Sequence, residues 1–153
     1  MEWFWGALVA LIVVVAIGWQ PLRQWWRRRN TRKAIDLFRL RRESLEAKFF
    51  DLAATSGKPR GLRWVECDWQ EDVRFARDLE TGLLTAFVSV ELHFEAVEGG
   101  DMEDVAAVGD VRDASAVFHY DRGQWGTGGK ALFNMNPNDA VGRLMGQFEE
   151  IPC

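Results

Sequence analysis

The sequence predicts an α+β fold: a single N-terminal transmembrane helix, a long linking helix, then a curved antiparallel sheet of five or six strands with a C-terminal helix. Three observations predict it. Residues 3–19 are apolar and uncharged, apolar residues from Ile35 to Leu52 recur at helical spacing, and alternation with period two begins near Leu62. The chain has 153 residues, room for one ordinary domain and an appendage but not for a multidomain catalyst. A composition of 48% hydrophobic and 27% charged residues is that of a folded protein, not a disordered one. Charge is unevenly divided. Up to residue 61 there are 12 Lys and Arg against 5 acids, net +7, whereas residues 62–153 hold 7 against 18, net −11.

The apolar run of 17 residues is roughly 26 Å long as a helix and reaches the ~30 Å of a bilayer core if extended through Leu22. A helix satisfies its own backbone in lipid, so the β-branched Val13, Val14 and Val15 are no objection there. Only Met1 and Glu2 precede the run, while Arg23, Arg27, Arg28, Arg29, Arg32 and Lys33 follow it. Positive charge stays cytoplasmic, which places the N-terminus outside the cell (inner) membrane and the rest of the chain inside. Trp3 and Trp5 at one boundary, with Trp19, Trp25 and Trp26 at the other, fit the two aromatic belts. A cleavable signal peptide requires a basic segment before the run and a small-residue cleavage site after it, and Gly18-Trp19-Gln20-Pro21 is no such site. Basic and aromatic residues over 25–29 also suit nucleic acid, but next to a span they read as contact with anionic headgroups. The expected division is a transmembrane anchor at 1–22, a basic juxtamembrane segment with an amphipathic helix at 23–61, and an acidic cytoplasmic domain at 62–153.

Asn30 or Thr31 is a capping residue for the linking helix, and Gly57 with Pro59 suits its end. Ile35, Phe38, Leu45, Phe49 and Leu52 form its apolar seam, with Arg42 where one apolar residue is missing. Packing on the following sheet is favoured over a short coiled coil, which would make a homodimer.

Beyond the loop at 57–61, alternation over 62–69 puts Val65, Cys67 and Trp69 on one face. Residues 73–78 and a long strand from Leu83 flank the turn Leu79-Glu80-Thr81-Gly82. In that long strand Leu84, Ala86, Val88, Val90, Leu92, Phe94 and Ala96 are the core face, and Thr85, Phe87, Ser89, Glu91, His93 and Glu95 the wet one. A strand at 114–120 turns through Asp121-Arg122-Gly123 into 124–127, and 130–135 continues after Gly128-Gly129. Asn136-Pro137 opens the last helix, with Val141, Leu144, Met145, Phe148 and Ile151 as its stripe. Cystatin-like and nuclear-transport-factor-like folds share this order of elements.

Chemical signatures are sparse. Gly99-Gly100-Asp101 resembles the turn of diguanylate cyclases, without their alternating βα units. Gly123 to Ala131 resembles the end of a phosphate loop, but Gly129 intervenes before Lys130 and Ala131 replaces the hydroxyl residue. Glu91, His93 and Glu95 share one strand face and would make a metal or proton-relay site if His119 came alongside. The acids Asp101, Glu103 and Asp104 lack the ligand spacing of an EF-hand. Cys67 and Cys153 are expected to be free thiols. The expected function is that of a single-pass membrane-anchored protein whose head is an interaction or scaffold domain for a basic or apolar protein partner, with no catalytic activity and no cofactor. The alternative is a ligand-binding or sensing domain, or a weak enzyme, with a pocket between helix and sheet at Trp64, Trp69 and Phe87.

Overall fold

The computed structural model describes the backbone of residues 2–56, 61–144 and 146–152, and within these all side chains except those of 2–18, 20–24, 26, 56 and 107. The chain divides into two compact units, Met1–Leu37 and Phe38–Cys153. A helix, α1, occupies Glu2–Ser56. The expected break between two helices at Asn30 and Thr31 does not occur. Thr31 does not cap; its hydroxyl donates back to the carbonyl of Arg27 at 2.9 Å, the bond of a residue inside a helix. No helix among the described residues is long and apolar enough to cross a membrane, and the side chains of the apolar run other than Trp19 lie outside those described.

The second unit is α+β. Its curved antiparallel sheet has six strands: β1 Leu62–Asp78, β2 Leu84–Ala96, β3 Arg112–Asp121, β4 Gln124–Gly126, β5 Ala131–Phe133 and β6 Phe148–Glu150. Strands β6, β1, β2, β3 and β4 are neighbours in that order, and β5 also pairs with β3. The turn at 79–82 is held by Asp78, whose carboxylate accepts from the backbone N–H of Glu80 at 2.8 Å and of Thr81 at 3.0 Å. Those bonds, Thr81's foremost, hold the Asp78 carboxyl below its ordinary pKa.

On the front face, the part of α1 that belongs to the second unit, from Phe38 onward, lies across the sheet through Phe38 and Phe49, both fully buried. Phe38 meets Phe75, Phe118 and Trp125 with ring centroids 5.5, 5.6 and 4.9 Å away. Phe49 meets Trp64, Trp69 and Phe118 at 6.4, 5.4 and 5.9 Å. Between them lie the buried Ala86, Val88, Val90 and Leu92 of β2. Arg42, the gap in the seam, pairs with Glu46 at 2.6 Å and donates to the carbonyl of Gln70, inside the irregularity of β1 between Trp69 and Val73. The seam therefore packs on the sheet, and its polar position satisfies a bulge carbonyl.

Three local expectations are corrected. The segments 62–69 and 73–78 form one strand, and a register shift between Trp64 and Glu66 turns Trp64 inward and leaves Val65 exposed. The expected wet face of β2 is covered at one end: Thr85 and Phe87 are fully buried, because Ala140, Val141 and Phe148 pack over Phe87, Ala76 and Val117. The last helix, α2, is confined to Pro137–Arg143. Asn136 caps it, accepting from Asp139 N–H at 2.8 Å, but the chain turns after Leu144 and returns as β6 along Ala76–Asp78. Of the anticipated stripe only Val141 lies on the helix, Phe148 reaches the core from a strand, and Met145 lies outside the described residues.

Gly129 explains the glycine pair. Its φ is +72°, and a Cβ there would stand 2.8 Å from the backbone nitrogen of Ala53 and 3.0 Å from the carbonyl carbon of Leu52. The loop after β4 approaches the helix backbone only because that side chain is missing. Gly128 has open space. Gly129→Ala is expected to cost about 1–3 kcal/mol from the backbone conformation alone, and more where α1 must shift; Gly128→Ala is expected to cost under about 1 kcal/mol. Urea unfolding of both variants checks this, and equal midpoints would remove the close approach as a constraint.

Candidate functional site

The uncovered half of the back face carries the polar row. Pairing of Asp68 with Glu91 and of Glu66 with His93 brings side chains of β1 and β2 together. His93 Nε2 lies 2.8 Å from Asp68 Oδ2, and the amide of Gln70 donates to Glu91 at 3.3 Å. Donor atoms of Asp68, Glu91 and His93 lie within 4.8 Å of one another. Two carboxylates and an imidazole are a ligand set for a divalent cation, although the His93 nitrogen nearest the carboxylates is already in contact with Asp68. Glu95 stands apart in an exposed ion pair with Arg63 at 2.6 Å.

His119 does not join them. It pairs with Thr85, eight residues along β2 from His93, about 26 Å at strand rise. Its Nδ1 lies 3.2 Å from Thr85 Oγ1. Burial, with a smaller contribution from Lys130, lowers the His119 pKa, and Asp78 opposes the shift. This hydroxyl–imidazole pair cannot attack a substrate from solution because Thr85 is fully buried.

The expected pocket residues separate as well. Trp64 and Trp69 flank Phe49 on the front face, whereas Phe87 meets Phe148 on the back at 5.2 Å. Phe38 and Phe49 fill the space between helix and sheet. An open groove of about 320 Å³ remains at the edge, where Phe50 and Asp51 face Val65, Cys67 and Trp69. The thiol of Cys67 is pushed up to about 12 by burial first and then by Asp68 and Glu66.

In the first unit Trp19 and Trp25 are exposed, as are Arg27, Arg28 and Arg29. The Arg29 guanidinium lies over the Trp25 ring, 5.4 Å from its centroid. The side chains of Trp3, Trp5 and Trp26 lie outside the described residues. No family model, curated protein or solved structure matches this chain.

Sequence reasoning missed Asp68, which joins Glu91 and His93 only through strand pairing. It also missed a second groove, of about 330 Å³, lined by Phe94, Met102, Val105, Val108, Arg112 and Phe133. The signal was present in the three-residue spacing of Met102, Val105 and Val108 among acids.

Two outcomes follow from these titrations. The His119 ring should titrate by NMR with a midpoint below 6.5. Above that pH the ring is neutral both folded and unfolded; as pH falls through 6.5 the unfolded chain takes up a proton that the folded ring resists, so stability declines. His119→Gln should remove that part of the decline, and a midpoint above 6.5 would reverse the sign. Cys67, held about 3 pH units above an ordinary thiol, should react with a disulfide reagent at pH 8 at least about a hundredfold more slowly in the folded chain than in denaturant. Stopped-flow absorbance on a chain lacking the Cys153 thiol checks it.

Proposed function

We propose that this is a single-pass protein of the cell (inner) membrane, its N-terminus outside, whose acidic α+β head is a cytoplasmic interaction or scaffold module. The observation that carries the reading is the 17-residue uncharged run followed at once by six bases between residues 23 and 33. That pattern suits a helix anchored by tryptophans and oriented by positive charge. Two features of the head favour binding over catalysis. The Thr85 hydroxyl beside the half-buried His119 is itself fully buried, and the half-buried Cys67 thiol is held protonated. Its net charge of −11 favours basic surfaces and disfavours nucleic acid.

A reporter active only in the cytoplasm, fused after Cys153, is expected to be active, and a periplasmic one silent; the reverse result overturns the topology. Crosslinking in membranes with the full chain and with a chain lacking residues 62–153 tests the head. Partners should be lost with the head, and the same partners on the truncated chain would overturn its role.

A further inference from the structure

We infer that the groove between the end of β2, the loop at 97–111 and β5 is the head's docking surface, and that it takes a short segment of a partner protein bearing one large apolar side chain flanked by Lys or Arg. The inference rests on the interaction-module reading above and assigns it a surface and a partner chemistry.

The groove has an apolar lining and an acidic border. Phe94 of β2 and Phe133 of β5 lie with ring centroids 6.3 Å apart, and Met102, Val105 and Val108 close the groove from the loop. Val105 is 40% exposed and Phe133 42%, and Val97 and Val111 on the same loop are exposed as well. Large apolar side chains collected around one concave site are what an interface leaves uncovered. The three-residue spacing of Met102, Val105 and Val108 through the turn and the short 3-10 helix Ala106–Gly109 lets them share the groove side.

Charge selects the occupant. Between residues 98 and 110 the loop carries Glu98, Asp101, Glu103, Asp104 and Asp110 and no base, and all five are exposed. Glu103 is oriented by accepting from the backbone of Gly99 at 2.9 Å. Arg112, the cation in the lining, already has an interaction within the protein. Lys or Arg on either side of a seated apolar residue would meet these carboxylates, whereas nucleic acid and anionic lipid would be repelled. A second copy placed groove to groove would bring its own five acids against these, at a cost.

The test uses the full chain in phosphatidylcholine nanodiscs with 13C-labelled methionine methyls, titrated with the capped peptide Lys-Lys-Leu-Lys-Lys. Met102 lines the groove, and Met135, whose carbonyl accepts from Ser115, serves as the internal control. The expected result is a saturable shift of Met102 without one of Met135. Affinity should fall about tenfold or more when Ser replaces Leu in the peptide, and in the Val105→Ser and Asp104→Lys chains, but not in Glu80→Gln, which removes an exposed acid in the turn at the opposite end of β2. An unmoved Met102 overturns the docking site, as does equal binding of the Ser peptide, which would leave charge alone. A Met102 signal that changes on dilution without peptide assigns the groove to a second copy and also overturns it. Partners that still depend on the head while Met102 stays silent would sink this inference alone; partners that do not depend on the head would sink the underlying reading.

Discussion

Phe38 and Phe49 stand eleven residues apart on α1, about 16 Å of helix rise, and each is a knob in one of two aromatic sockets of the sheet that share Phe118. The sheet supplies Phe75, Trp64 and Trp69 from β1, Phe118 from β3 and Trp125 from β4, while β2 offers aliphatic side chains at its centre. Neither partner can bury this surface alone. Aromatic pairs add about 0.5–1.5 kcal/mol each beyond burial, and truncating a buried Phe costs about 3–5 kcal/mol. Other features follow from this docking. Arg42 reaches the carbonyl of Gln70 because Phe38 and Phe49 fix the helix above β1, and Gly129 has to be glycine because the loop after β4 then runs against Leu52 and Ala53.

The back of the sheet is covered only in part, and that decides what the head presents. Phe87, Ala76 and Val117 at one end require α2 and β6. At the other end Asp68, Glu91 and His93 remain accessible to water because no element crosses there among the described residues, and polar residues on adjacent strands pair with one another. Ion pairs this exposed contribute about 0–1 kcal/mol each. Their role in the fold is therefore small.

Legibility in the sequence tracked how local the determining physics was. In β2 the front face could be read from alternation, since every second residue from Leu84 to Phe94 is buried without interruption. In β1 the same reasoning failed at Val65, because the register shift after Trp64 comes from pairing with a strand nearly thirty residues away. The stripe from Val141 to Ile151 fits a helix, yet Phe148 is drawn into a strand by the Phe87 socket and the free edge of Ala76–Asp78, a tertiary preference that overrides spacing. Arg42 marked a place where the helix seam has polar work, but its partner could not be read from the chain. His93 was assignable to a strand face and His119 to the strand at 114–120, while their separation along the sheet depended on the β2–β3 register.

Charge partition ties the proposed anchor to the proposed docking surface. A base of +7 attracts an anionic bilayer, and a head of −11 is repelled by it, so opposite ends of one chain favour opposite distances from the lipid. That repulsion decays within about one Debye length, roughly 8 Å at physiological ionic strength, so it operates only on surfaces close to the headgroups. An acidic loop bordering an apolar groove is then protected from adhesion to lipid by its own charge. A basic apolar segment experiences the opposite force at both places, attracted to the bilayer and to the loop. Under the proposed topology, a partner concentrated at the membrane surface by its bases would arrive where the groove could compete for it, and its apolar side chain would decide between lipid and protein, because the groove supplies walls with the acids already in place.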